Sequence, residues 1–126
     1  MPRKVLDTPS APAPMAPYSP AVEANGFVYL SGQVAIDAAT GERTPDDITA
    51  QTHRVMKNIG ALLDDAGLGF GDVVKATVFL ADIGDFAAFN EVYGRYFDGD
   101  PPARSTFQAG ALPEGFRIEI EVVAAR

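Results

Sequence analysis

The sequence predicts an α+β fold, a mixed β-sheet with two helices packed on one face, and three stretches carry that prediction. Asn25-Gly26 lies between Ala21-Val22-Glu23-Ala24 and Phe27-Val28-Tyr29-Leu30. Asn-Gly between apolar runs is the strongest short-range sign of a two-residue hairpin, because both turn positions require positive φ. Ile48, Thr52, Val55, Ile59, Leu62 and Ala66 recur every three or four residues, which sets them on one face of a helix. Near the C-terminus Phe116, Ile118, Ile120 and Val122 alternate with Arg117, Glu119, Glu121 and Val123, so the two sets point to opposite sides of a strand.

Taken in order, residues 1–16 read as a Pro/Ala-rich N-terminal arm. Five of the ten prolines fall within the first 17 residues, with no apolar periodicity between them. The hairpin follows, its second strand running to about Ile36, and residues 37–41 supply turn chemistry. Thr44-Pro45-Asp46-Asp47 predicts a helix start, with Thr44 as N-cap, proline at the first helical position and acids in the first turn. Gly67 is the expected stop. Residues 73–82 alternate as a strand, with Val74, Ala76, Val78 and Leu80 on one face and Val73, Lys75, Thr77 and Phe79 on the other. Asp82 or Asp85 then caps a second helix whose stripe is Phe86, Phe89, Tyr93 and Tyr96 or Phe97. A short strand at about residues 104–109 and the final strand complete the sheet. Two helices cover only one face of it. The other face carries Phe79, Thr77, Tyr29 or its neighbours and several charges, too apolar a mixture for open water, and predicts burial against further copies of the chain in a closed cyclic oligomer.

At 126 residues the chain has the size of one ordinary domain. A hydrophobic content of 47% and a mean hydropathy of +0.02 describe a folded globular protein. The net charge of −7 and scattered basic residues argue against nucleic acid or an anionic membrane as partner. The absence of cysteine excludes disulfides, thiolate nucleophiles and Cys-ligated metals. No apolar run approaches the ~18 residues of a membrane span, and the expected setting is the cytoplasm. No acid or imidazole cluster has metal-ligand spacing, and neither a metal nor a cofactor is expected.

Pro101-Pro102-Ala103-Arg104-Ser105-Thr106 is the most suggestive stretch. Two prolines hold φ near −65° and remove two backbone donors, so the chain delivers Arg104 from a stiff, extended approach. A guanidinium held in this way is suited to gripping a carboxylate or phosphate through two parallel hydrogen bonds. An arginine after a loop is more commonly solvated surface. Glu119 and Glu121 project from the same strand face, roughly 7 Å apart, where burial raises a carboxyl pKa unless a cation offsets it. Pairing with Arg117 or a lysine is the structural alternative. Asn90 is either a packing amide or a polar group at a pocket edge. His53, the only histidine, falls beside the helix stripe, as a solvated residue would. Ser31-Gly32-Gln33 lies within a strand rather than at a strand-to-helix elbow, so Ser31 is a poor nucleophile, and Gly32 suits the close approach of another backbone or a ligand. Gly67-Leu68-Gly69-Phe70-Gly71 follows a helix and precedes a strand, the reverse of a nucleotide loop.

Read together, Ala-Pro-Tyr-Ser at Ala16 to Ser19, Ser31-Gly32-Gln33, Thr40-Gly41-Glu42, Gln51-Thr52, Asn58-Ile59, the run from Val73 to Leu80, Asp85-Phe86, Asn90-Glu91-Val92-Tyr93, Pro102-Ala103-Arg104-Ser105, Leu112-Pro113 and Ile118-Glu119-Ile120-Glu121 closely resemble the RidA (YjgF) family of reactive-intermediate imine deaminases. The resemblance implies a single domain over residues 1–126 with a chorismate-mutase-like fold. It also implies a homotrimer around a central barrel, with ligand clefts at the subunit interfaces. It makes Arg104 the carboxylate-binding residue and Glu119 the residue that positions water, with Tyr18, Ser31, Asn90 and Thr106 lining the cleft. The implied activity is cofactor-free hydrolysis of 2-imino or 2-enamino acids to ammonia and a 2-oxo acid, like that of a 2-iminobutanoate/2-iminopropanoate deaminase. Two positions depart from the common pattern: Ala16 replaces a glycine, and Thr106 replaces a cysteine. Alternative readings are a pathway-specific enamine deaminase with a 2-aminomuconate-like substrate and a non-catalytic trimer that binds small carboxylates. Ribonuclease activity fits poorly with the acidic chain and its lone histidine.

Overall fold

In the computed structural model, which describes residues 2–126, the hairpin forms where Asn25-Gly26 requires it. Those residues take φ of 53° and 81° and join strands Ala21–Ala24 (β2) and Phe27–Gln33 (β3). Lys4–Val5, inside the arm, adds a strand (β1) antiparallel to β2. The arm is therefore not wholly irregular. A two-residue strand is too short for alternation to announce it. Met1 lies outside the described residues. Ile36, at the expected end of β3, makes only an isolated bridge to Arg43.

The first helix (α1) is Ile48–Asp65, and its cap is Asp47 rather than Thr44. The Asp47 carboxylate accepts from the Ala50 N–H at 2.7 Å, while the Thr44 N–H is committed to the Ala35 carbonyl, 2.9 Å away. Thr44 thus belongs to the preceding turn. Asp46 is also withdrawn from the helix, because it holds Arg117 at 2.7 Å. Loss of an N-cap acceptor costs about 1 kcal/mol. Asp47→Ala is expected to lower the chemical denaturation midpoint by a corresponding amount, and an unchanged midpoint would assign the cap elsewhere. The helix closes at Gly67, whose φ of 75° suits the left-handed position after a helix end.

The third long strand, Val73–Leu80 (β4), precedes a 3-10 turn at Ile83–Asp85, in which Asp82 accepts from the Gly84 N–H. The second helix (α2) is Phe86–Gly94. The choice between Asp82 and Asp85 resolves into two roles: Asp82 caps the turn, and Asp85 pairs with Arg117 at 3.1 Å. Strand Ala103–Gln108 (β5) runs parallel to β4, as a helical crossover between them allows, and Ile118–Ala125 (β6) runs antiparallel to both β4 and β3. The sheet order is β1-β2-β3-β6-β4-β5.

The core lies between this mixed sheet and the helices. Val28, Leu30, Ala76, Val78, Leu80, Ile118, Ile120 and Val122 from the sheet meet Val55, Met56, Ile59, Leu62 and Leu63 of α1 and Phe89 of α2, all buried. Val74 is not among them. A register shift between Val73 and Lys75 turns Val73 inward and leaves Val74 exposed, reversing the expected parity at the start of β4. Arg117 also departs from expectation. It precedes β6, and its guanidinium joins Asp46 and Asp85 at the starts of the two helices rather than facing Glu119. On the uncovered face Phe27, Tyr29 and Phe107 are 41%, 46% and 46% exposed, and Phe79 and Phe107 meet edge-to-face, 5.1 Å between centroids. Among the described residues no helix is long and apolar enough to cross a membrane.

Candidate active site

The expected site residues fall into two groups. The first forms around the end of β3. Ser31 donates its hydroxyl to the Ser19 carbonyl at 2.6 Å, and its backbone N–H to the Pro20 carbonyl at 2.9 Å. These bonds fasten the arm to the strand and set Tyr18 beside it. Tyr18, Ser31, Gly32, Val34, Ile36, Pro113, Glu114 and Glu119 line an open cavity of about 420 Å³. Ser31 spends its only proton on the arm, so it positions Tyr18 rather than acting as a nucleophile.

Glu119 is the acid of this group. It is half-buried on β6, on the face opposite the helices, opposite Phe79 of β4. Burial pushes its carboxyl pKa above the usual range, and the neighbouring Glu121 carboxylate adds to that push. No cation lies within ion-pair distance of it among the described residues.

The second group surrounds Arg104. Its partner across the parallel ladder is Ala76, a core residue, so Arg104 leaves β5 on the helix side. There its guanidinium carbon sits 5.0 Å from the ring centres of Phe89 and Tyr93 and 5.6 Å from that of Phe86. Phe86, Phe89 and Tyr93 are spaced three and four residues apart, which gathers their rings on one side of α2. The aromatic faces attract the cation without engaging its hydrogen-bond donors, and no carboxylate pairs with it among the described residues. Thr106 follows on the same side, opposite Val78, and its Oγ1 is buried without a partner, as is the Tyr93 hydroxyl. Asn90 is half-buried on α2, one turn beyond Phe86.

A single chain does not bring the two groups together. Strand β4 separates β5 from β6, about 10 Å between their backbones at the usual strand spacing. Arg104 and Glu119 also leave opposite faces of the sheet. His53 belongs to neither group. Its Nδ1 is 2.8 Å from the Tyr96 hydroxyl, joining α1 to the segment after α2. The aromatic nest around Arg104 went unread in the sequence because its i, i+3, i+7 spacing is also that of a core stripe. The sequence leaves room at Gly32 for a backbone or a ligand, and the group that approaches it is the Glu119 side chain.

This fold and these residues define a small α+β protein with two separate groups of candidate residues, one cationic around Arg104 and one acidic around Glu119. The family model described as Endoribonuclease L-PSP matches residues 8–126. Protein DfrA of Myxococcus xanthus is 50% identical over 126 residues, covering 98% of this chain and 96% of that protein. The 2-iminobutanoate/2-iminopropanoate deaminase of Mus musculus is 45% identical over 124 residues, covering 98% and 92%. Among solved structures, the Rid-family protein YyfA of Yersinia pestis superposes with a TM-score of 0.95 at 42% identity, covering 99% of this chain and all of that one. The chain belongs to the RidA (YjgF) family.

Proposed function

We propose that this protein is a hydrolytic deaminase of 2-imino and 2-enamino acids, working as a homotrimer whose sites lie between subunits. In this assembly the uncovered sheet faces line a central barrel. Arg104 of one subunit faces Glu119 of the next. The observation that carries the reading is the separation of Arg104 and Glu119 on opposite faces of one sheet, each without an ionic partner among the described residues. Two chains placed head to tail supply each group with the other. The apolar, aromatic-rich uncovered face gives such an assembly its contact area, and the activity named for the mouse relative agrees with the chemistry of the pair.

The enamine substrate first takes a proton at its β-carbon and becomes the protonated imine, an iminium. Arg104 binds the substrate carboxylate through two parallel hydrogen bonds, which fixes the imine carbon. Glu119 accepts a proton from the attacking water as the C–O bond forms, and the C=N electron pair moves to nitrogen. Glu119 returns its proton to nitrogen, which leaves as ammonia, and the carbinol hydroxyl releases its own proton to the freed carboxylate or to water as it closes to the carbonyl of a 2-oxo acid. Tyr18 and Ser31 bound the acidic side, and Thr106 and Asn90 the cationic side. An imine is already electrophilic, so positioning with modest proton transfer suffices and no cofactor is invoked.

The test is to generate 2-iminopropanoate with an amino-acid oxidase, trap it with semicarbazide and measure the semicarbazone with and without the protein. Less trapped product is expected. No difference at micromolar protein sinks the reading, and calorimetric binding of 2-oxo acids without turnover would mark a carboxylate-binding trimer instead.

A further inference from the structure

The β3–β6 ladder is irregular where it meets Glu119. Leu30 pairs with Val122 and Gln33 with Ile120, so three steps along β3 match two along β6. The extra residue is a bulge, a device that kinks a strand and re-aims its neighbours. It falls on Ser31-Gly32. An added side chain at Gly32 would collide with Glu119: the place of its Cβ is filled by Glu119 Oε2, with Glu119 Cδ 2.9 Å and Cγ 3.1 Å away. The carboxylate therefore lies in the notch left by the missing side chain, against the β3 backbone.

We propose that Gly32 is a positioning residue for Glu119, its bare Cα on the bulge providing the seat that holds the carboxylate against the sheet and partly out of water. The proposal deepens the deaminase reading and rests on it for the catalytic consequence. Gly32 has no positive φ that would penalise alanine, and the group an alanine methyl would meet is the far end of a flexible side chain. Gly32→Ala thus keeps the strand and its backbone N–H and displaces only the carboxylate. The titratable groups around that seat are Glu121 on the same strand and Glu114 and Tyr18 across the cavity. β3 contributes only Ser31 and Gly32, β4 contributes Phe79, and the assembled trimer adds Arg104.

The experiment compares wild type, Gly32→Ala, Glu119→Gln and the double variant. In wild type the Glu119 side-chain carboxyl, followed by carbon-13 NMR and assigned by its loss in Glu119→Gln, is expected to titrate above the ordinary glutamate range. In Gly32→Ala it is expected to move back toward that range as the group swings into solvent. In the trapping assay Gly32→Ala is expected to lower kcat roughly tenfold or more, on the scale of a misplaced acid-base group, with a smaller change in KM. On the Glu119→Gln background the same change is expected to add almost nothing, whereas general damage to strand or assembly would multiply in both backgrounds. An unmoved Glu119 titration overturns the proposal, as does an unchanged kcat or a full multiplicative loss in the double variant. If wild type does not deaminate at all, the deaminase reading fails, and the titration alone decides where the carboxylate sits.

Discussion

Arg104→Ala is expected to lower kcat/KM for 2-iminopropanoate on the order of a hundredfold, the scale of removing a hydrogen-bonded charged partner, with no loss of folded structure. The second expectation follows from the nest that holds this side chain. Phe86, Phe89 and Tyr93 present ring faces to a flat guanidinium, and a carboxylate is best met by its rigid fork of donors. Arg104→Lys keeps the charge but has neither the stacking plane nor the fork, so it is expected to recover only a small part of the activity. Trapping kinetics of the three forms check this, and wild-type rates in Arg104→Ala would remove Arg104 from the site. Co-expression with a Glu119→Gln chain adds a test of the shared site. In a randomly mixed closed ring about one interface in four pairs an intact Arg104 with an intact Glu119, so two inactive variants are expected to regain roughly a quarter of the activity. A site contained in one chain would regain none.

Glu119→Gln carries the other large effect, a fall in kcat of about 10²–10⁴ if the carboxylate moves the proton of the attacking water. Wild-type activity is expected to rise with pH as Glu119 ionises, with that limb above the ordinary carboxylate value of 4.5 where burial and Glu121, which raise the pKa in the single chain, outweigh the next subunit's Arg104. The glutamine variant is expected to lack the limb. Stability moves the opposite way. A carboxyl whose pKa is higher folded than unfolded keeps its proton longer in the folded chain, so folding weakens as pH climbs from 4.5 through the raised value. Glutamine carries no such penalty. Where that rise outweighs the pull of Arg104 from the next subunit, Glu119→Gln is therefore expected to melt higher than wild type at neutral pH, with the difference vanishing below pH 4.5. Equal melting at both pH values would show that the carboxylate is well solvated.

Much of this was legible in the chain. The Asn25-Gly26 turn, the stripe of α1 and the alternation of β6 are local signals, and each appears where residue type and spacing put it. What escaped was set by pairing. A bulge at the start of β4 exchanged the faces of Val73 and Val74, because one extra residue inverts a period of two. Thr44 had the chemistry of a cap, yet its backbone was taken by Ala35 and Asp47 stood nearer the first free N–H groups. Arg117 read as a neighbour of Glu119, but the two acids at the helix starts hold it. The motifs named Arg104 and Glu119. Nothing in Ala-Arg-Ser-Thr-Phe-Gln reveals which side of the sheet receives the arginine, since only the parallel register with β4 decides it.

The uncharged bed beneath Arg104 has a further consequence for how a ligand arrives. A guanidinium already tied to an internal acid must surrender that tie before it can receive another anion, and such an exchange slows capture and rewards only ligands able to outcompete the resident group. Ring faces make no such demand. An incoming carboxylate would add its hydrogen bonds to a cation that stays where it was, so Arg104 can receive a short-lived anion without a prior rearrangement, as the proposed imine substrate requires.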